Sequence, residues 1–224
     1  MHQREERLNR KLAEAAHTDP LTGVLNRRGV DPRFEEIVEE NLRRDRPVSV
    51  VMFDLDHFKR FNDDHGHLVG DDALRRMASM LDGLCREVDL VARLGGEEFA
   101  VVLPGATAAD ARSYAERVAW GLGTEAVDTA LRLTTSSGIA ALDEGSDASC
   151  VSSLLLRADE ALYAAKAGGR ARAAWWATDG IEVGDEVDVP EPELDPALRR
   201  PSRPREYVVR ADDRRDPDRL KRRA

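Results

Sequence analysis

Arg93-Leu94-Gly95-Gly96-Glu97-Glu98-Phe99-Ala100-Val101-Val102-Leu103 sets two glycines and two acids between short apolar runs. Glycine tolerates the positive φ angles of a tight turn, so the stretch predicts a β-hairpin over about residues 90–103. The turn is chemically unusual. Adjacent carboxylates repel one another unless a cation or a donor lies near, and adjacent glycines remove bulk from the same place. Little bulk with much negative charge suits a metal-bound phosphate approaching the backbone.

Outward from the hairpin, Val48-Ser49-Val50-Val51-Met52-Phe53-Asp54 is a β-branched run and predicts a buried strand. Helical periodicity covers residues 26–44, with Val30, Phe34, Ile37, Val38 and Leu42 on the buried side. It recurs over 70–83, with Ala73, Leu74, Met77, Met80, Leu81 and Leu84 on one face, and over 108–122. Residues 131–140 alternate into a strand, and 151–167 form a helix ended by Gly168-Gly169. The order α, β, α, hairpin, α, β, α predicts an α+β fold or open α/β sheet. Its core runs from about residue 18 to residue 176, enough for a real hydrophobic interior.

The flanks differ. Residues 1–17 predict a charged helix with Leu8, Leu12 and Ala16 at helical spacing, either solvated or a linker helix that pairs in a dimer. Past Trp176 the chain turns acidic over residues 181–195 and Arg-rich over 199–223, with prolines throughout. Few apolar residues are available to offset ordering entropy, so residues 177–224 are expected to form a flexible charged tail. Its acidic and basic halves attract each other, or its basic end meets an anionic partner.

The chain has 224 residues, 34 Lys and Arg against 43 Asp and Glu, and a formal net charge of −9. The acidic balance argues against duplex nucleic acid as a partner. Cys85 and Cys150 have no metal-ligand spacing and read as reduced thiols of a cytoplasmic protein. No apolar leader opens the chain and no run of about 18 apolar residues occurs, so no membrane span is expected.

The chemistry gathers after the first strand. Asp54 and Asp56 follow it and share a face if the strand continues; with Glu97 and Glu98 they bring up to four carboxylates toward one point. That set suits Mg²⁺, which takes oxygen ligands from carboxylates, phosphates and water. Lys59 supplies a point charge for phosphate. Asn62, donor and acceptor, and Asp71, acceptor only, suit the edge of guanine; Asp71 is alternatively the N-cap of the next helix. Lys166 and Arg170 add positive charge at a helix end, for a phosphate or for the helix dipole.

Asp19-Pro20-Leu21-Thr22-Gly23, Phe53-Asp54-Leu55-Asp56-His57-Phe58-Lys59, Asn62-Asp63, Gly66-His67, Gly70-Asp71, the hairpin and Ala158-Asp159-Glu160-Ala161-Leu162-Tyr163-Ala164-Ala165-Lys166 occur in one order over residues 17–171. In that order and spacing they resemble the GGDEF-domain diguanylate cyclases. The resemblance implies a central five-stranded mixed sheet surrounded by helices, similar to the palm of polymerases and adenylyl cyclases. It implies condensation of two GTP into cyclic di-GMP and two pyrophosphates at a homodimer interface. It implies Asp54, Glu97 and the Leu55 carbonyl as ligands of Mg²⁺ or Mn²⁺, and Asn62 and Asp71 as readers of guanine. Lys59, Lys166 and Arg170 would hold phosphates, with Gly95-Gly96 against the nucleotide. Glu98 would help deprotonate the attacking hydroxyl or hold a second metal, and His57 would stack on the base or alter affinity.

Arg86-Glu87-Val88-Asp89 lies just upstream of the hairpin. Such a pair is commonly a surface ion pair; at this distance from Gly95 it matches the family's inhibitory site for cyclic di-GMP, with Arg117 a weaker second contact. No sensor domain is recognisable before residue 18, so control is expected from a sensor domain or partner protein. The competing reading is a non-catalytic receptor or scaffold that binds cyclic di-GMP or GTP. Retention of both glycines and both acids favours the enzyme.

Overall fold

The computed structural model describes residues 17–124, 133–142, 151–177 and 179–187. A buried strand, β2 (Val48–Leu55), runs through the centre of a seven-stranded sheet. The hairpin β3 (Leu90–Gly95) and β4 (Glu98–Pro104) flanks it on one side, with the two-residue β1 (Leu25–Asn26) at that edge. On the other side lie β5 (Thr135–Leu142), β6 (Ala173–Ala177) and β7 (Gly180–Val183). The order is β1-β3-β4-β2-β5-β6-β7, with β1–β3 and β5–β6 parallel and the other pairs antiparallel. The α+β class and mixed sheet are as expected; the strand count is seven rather than five.

Among the described residues five helices cover the sheet: α1 (Arg27–Arg43), α2 (Phe58–His65), α3 (His67–Leu84), α4 (Ala108–Thr124) and α5 (Val151–Ala167). The alternation of β2 sorts the core into two layers. Val51, Phe53 and Leu55 pack with Met77, Leu81, Tyr114 and Val118 on the α3/α4 face. Val48, Val50 and Met52 pack with Val30, Phe34, Leu154 and Leu162 on the α1/α5 face. By the same parity Asp54, the next even position, points to the α5 face.

Several expectations need correction. Leu42 is 48% exposed; Asn41 takes the inward position and its amide donates to the Ile37 carbonyl. A 3.6-residue period running through Val30, Phe34 and Val38 reaches 41, not 42. The helix expected over 70–83 starts at His67, and a separate short helix, α2, precedes it. Leu84, at its last residue, is 37% exposed. The sheet also continues past Trp176, because β7 pairs antiparallel with β6 where the charged tail was expected to begin. The linker helix up to residue 16, Cys150 and the tail beyond residue 187 lie outside the described residues.

Candidate active site

The site lies where β2 ends beside the hairpin turn. Asp54 is paired directly across from Glu98, and opposite residues of an antiparallel pair share a face, so the two carboxylates stand side by side. Glu97 lies in the turn, where its carbonyl accepts from the Leu55 N–H at 3.4 Å. Asp54 is buried and Lys166 Nζ, from the last turn of α5, lies 2.7 Å from its carboxylate. A buried anion needs such a partner.

Asp56 does not join this group. Its carboxylate accepts from Thr134 Oγ1 and Ser136 Oγ at 2.7 Å each and from the Ala171 N–H at 3.0 Å. Both its oxygens are engaged by neutral donors, so the expected convergence of four carboxylates is not formed. Among the described residues no three His, Cys, Asp or Glu side chains are gathered tightly enough to hold a metal unaided. The donor set still fits Mg²⁺, whose protein ligands are typically one or two carboxylates, with substrate phosphates and water completing the shell.

The Gly95-Gly96 turn is exposed, and a Cβ built at either glycine meets nothing within 4 Å. Internal crowding therefore does not explain two glycines, although Gly96 has the left-handed φ of 52° that a bulkier residue adopts at a cost. Its carbonyl is clamped by Arg93, which donates from Nε at 2.9 Å and Nη2 at 2.7 Å. The Arg93 Nη1 donates to Asp19 at 3.0 and 3.2 Å. Thr22 donates to the same carboxylate from its backbone and its hydroxyl. Burial pushes the Asp19 carboxyl up, but the bonds from Thr22 and Arg93 outweigh it and hold the value below the ordinary carboxylate range. Neither Arg93 nor Asp19 was assigned a role from sequence. The signal was an arginine two residues before the glycines, within reach of the turn carbonyl.

Asn62 and Asp71 sit on consecutive helices, α2 and α3. Asn62 Oδ1 is buried without a hydrogen-bond partner, and a Cβ on Gly70 would collide with it. A bare glycine thus opens the cradle in which this acceptor waits, beside Asp71. The N-cap alternative for Asp71 is excluded, because α3 begins four residues earlier and is preceded by Gly66. His57 and Lys59 are exposed at the entry to α2, His57 in the left-handed region with φ 56°. Arg170, half-buried, follows α5.

Away from the turn, Arg86 and Asp89 are paired with each other. The guanidinium donates to both Asp89 oxygens, at 3.2 Å from Nε and 2.8 Å from Nη2, and Nη2 also donates to the Pro104 carbonyl at 3.0 Å. The Asp89 side chain is only 3% exposed, while that of Arg86 is 58% exposed. Arg117 lies on α4 near the Tyr114 ring and lines a groove of about 870 Å³ between α3 and α4. Cys85 is a free thiol whose value burial raises to about 11.

Comparison with known proteins agrees with the geometry. The family model described as "Diguanylate cyclase, GGDEF domain" matches residues 16–172. Diguanylate cyclase DgcP of Pseudomonas aeruginosa is 40% identical over 162 residues, covering 71% of this chain and 24% of the relative. Response regulator PleD of Caulobacter vibrioides is 40% identical over 162 residues, covering 70% of this chain and 35% of the relative. The chain therefore spans about a quarter to a third of these relatives' length. Among solved structures, the coiled coil and GGDEF domain of DgcB from Caulobacter crescentus, in complex with c-di-GMP, superposes with a TM-score of 0.69 at 30% identity, covering 75% of this chain and 90% of that one. Diguanylate cyclase SiaD of Pseudomonas aeruginosa, in complex with its activator SiaC, gives 0.65 at 38% identity, covering 75% and 65%. Fold, motif order and sequence identity lead to one family, and the chain belongs to the GGDEF-domain diguanylate cyclases.

Proposed function

We propose that two copies of this chain condense two GTP molecules into cyclic di-GMP. Each 3′-hydroxyl attacks the α-phosphorus of the other GTP: an O–P bond forms, the bond to pyrophosphate breaks, and the hydroxyl proton departs. The observation that carries this reading is an open double-glycine turn next to a carboxylate pair, the buried Asp54 and the half-buried Glu98 across from it. The turn leaves room for a nucleotide against the backbone, and all four residues of Gly95-Gly96-Glu97-Glu98 are retained.

In this reading Asp54, Glu97 and the Leu55 carbonyl hold Mg²⁺ or Mn²⁺. When bound, the ion supplies charge neutralisation on the phosphates and lowers the pKa of the attacking hydroxyl. Glu98 takes the hydroxyl proton. Lys166, with Lys59 and Arg170, holds phosphates, and Asn62 and Asp71 read guanine, with the unpartnered Asn62 Oδ1 accepting one of its N–H groups. His57 borders the base. Holding two GTPs head to tail removes the entropy cost of bringing them together, which is worth several kcal/mol at most sites of this kind. Arg86 and Asp89 form an inhibitory site: a purine ligand parts the pair, gaining the guanidinium fork and the carboxylate. A cytoplasmic setting fits the free Cys85 thiol and supplies GTP.

Incubating the purified protein with GTP and Mg²⁺ is expected to yield cyclic di-GMP. Measurable GTP binding without product at high protein concentration overturns the enzyme in favour of a receptor. Glu97→Gln should cost about 100-fold in turnover by weakening the ion site; parent-like rates would remove Glu97 from the mechanism.

A further inference from the structure

The two acids that close β2 have different partners on the same stretch of chain. Asp54 meets Lys166 at the end of α5, and Asp56 meets Ala171 just beyond it. Arg170 lies between these two attachments. Arg170 and Ala171 have φ of 68° and 50°, so two successive non-glycine residues occupy the left-handed region. Such conformations persist only where the surroundings over-determine them. Here both backbone groups of Ala171 are held: its N–H donates to Asp56 at 3.0 Å, and its carbonyl accepts from the Val187 N–H at 2.9 Å. Asp56 is 5% exposed, and its remaining bonds, to Thr134 and Ser136, anchor it to the start of β5. The carboxylate thus ties the end of β2, the entry to β5 and the loop after α5 to one point.

We propose that Asp56 is a positioning residue for the nucleotide phosphates: it holds the Arg170-Ala171 turn and thereby aims Arg170, without itself touching substrate or ion. The proposal rests on the phosphate-holding role given above to Arg170. Its chemistry is specific. Only an acceptor can take the Ala171 N–H, whereas the Thr134 and Ser136 hydroxyls can rotate to accept as well as donate. Asparagine therefore satisfies the same three partners, and alanine satisfies none.

The test is a double-mutant cycle on GTP kinetics. Asp56→Ala is expected to raise KM for GTP about tenfold while kcat changes less than about threefold. Asp56→Asn should stay within about threefold of the parent in both. In an Arg170→Ala background Asp56→Ala should add no further rise in KM, because the group it aims is gone. Hydrogen exchange of the apo protein should quicken over residues 169–173 in Asp56→Ala while β2 and α3 keep their protection. An undiminished KM rise in the Arg170→Ala background overturns the proposal, and so does an Asp56→Asn variant as damaged as Asp56→Ala, which would make the charge itself the active element. If Arg170→Ala leaves KM unchanged, the phosphate role of Arg170 fails first and takes the proposal with it. Should Asp56→Ala not fold, Asp56→Ser, which keeps a polar group against the β5 hydroxyls and falls short of Ala171, carries the same comparison.

Discussion

A single missing methyl group shapes the corner around Asn62, to which base recognition is assigned in the proposed reaction. Gly70 is buried in α3, and any side chain there would strike the Asn62 amide. Alanine has better helix propensity by about 1 kcal/mol, but overpacking a filled corner costs about 1–3 kcal/mol. Gly70→Ala is therefore expected to lower stability in urea unfolding and to weaken GTP binding. A variant that gains stability and binds GTP like the parent would show that the Asn62 amide moves aside freely. At this scale the sequence was readable where chemistry is rare. Asn62, Asp71 and the acidic turn stood out because polar groups in that order have few structural uses. Asp56 misled, because an acid two residues from Asp54 looks the same in sequence whether it faces an ion or three neutral donors. Only the partners, about 80 and 115 positions away along the chain, decide between them.

The hairpin as an element is more constrained than its exposed tip suggests. Arg93 bridges its turn to Asp19, in the segment that enters the domain. Because the Asp19 carboxyl lies below its unfolded value of about 3.9, it contributes stability that is present above that pH and lost as pH falls through the lower folded value. Removing Arg93 removes one of the causes of that depression. Arg93→Ala should thus move the acid-unfolding midpoint, followed by tryptophan fluorescence, to higher pH. It should also slow turnover by loosening the turn. Coincident acid-unfolding curves for variant and parent would mean that Thr22 alone sets the carboxyl. Long, periodic elements were legible: the Val151–Ala167 helix and the hairpin lie where the residue pattern put them. The eight-residue α2 was hidden, since Phe58 to His65 offers only two turns and ends at Gly66. The polar start of β5 fell inside the strand expected over residues 131–140, but what its hydroxyls bind was hidden. Thr135, Ser136 and Ser137 are buried strand residues, with Thr135 Oγ1 donating to the Asp54 carbonyl and Ser136 Oγ to Asp56. Residue pattern finds such a strand but is blind to which partners satisfy its polar groups across the sheet.

For the whole molecule, the proposed reaction makes each chain half of a symmetric condensation, with its double-glycine turn facing that of a second copy. The rate per subunit should rise with protein concentration until the dimer saturates; a flat profile would argue against a weakly associating dimer. Repeating the titration with added cyclic di-GMP should depress the parent at every concentration and leave Arg86→Ala unaffected. Matching inhibition of the two would discard the Arg86–Asp89 site. The fold class was legible because the element order admits few sheets, but the sheet's outer edge was not. Acidic and prolyl composition past Trp176 signals solvent, yet Ile181 packs against a small cluster with Ala161, Ala165 and Ala174 that a composition window averages away.

That outer edge has a consequence for where this protein begins and ends as a working unit. The match to the family model ends at residue 172, whereas the Ala171 carbonyl is held by Val187 and the Arg172 guanidinium reaches the Gly184 carbonyl at 3.4 Å. The stretch that the family pattern does not cover is thus stitched to the loop that carries Arg170. A substitution along residues 184–187 is therefore expected to shift Arg170, and with it the GTP affinity proposed above, while every signature residue stays the same.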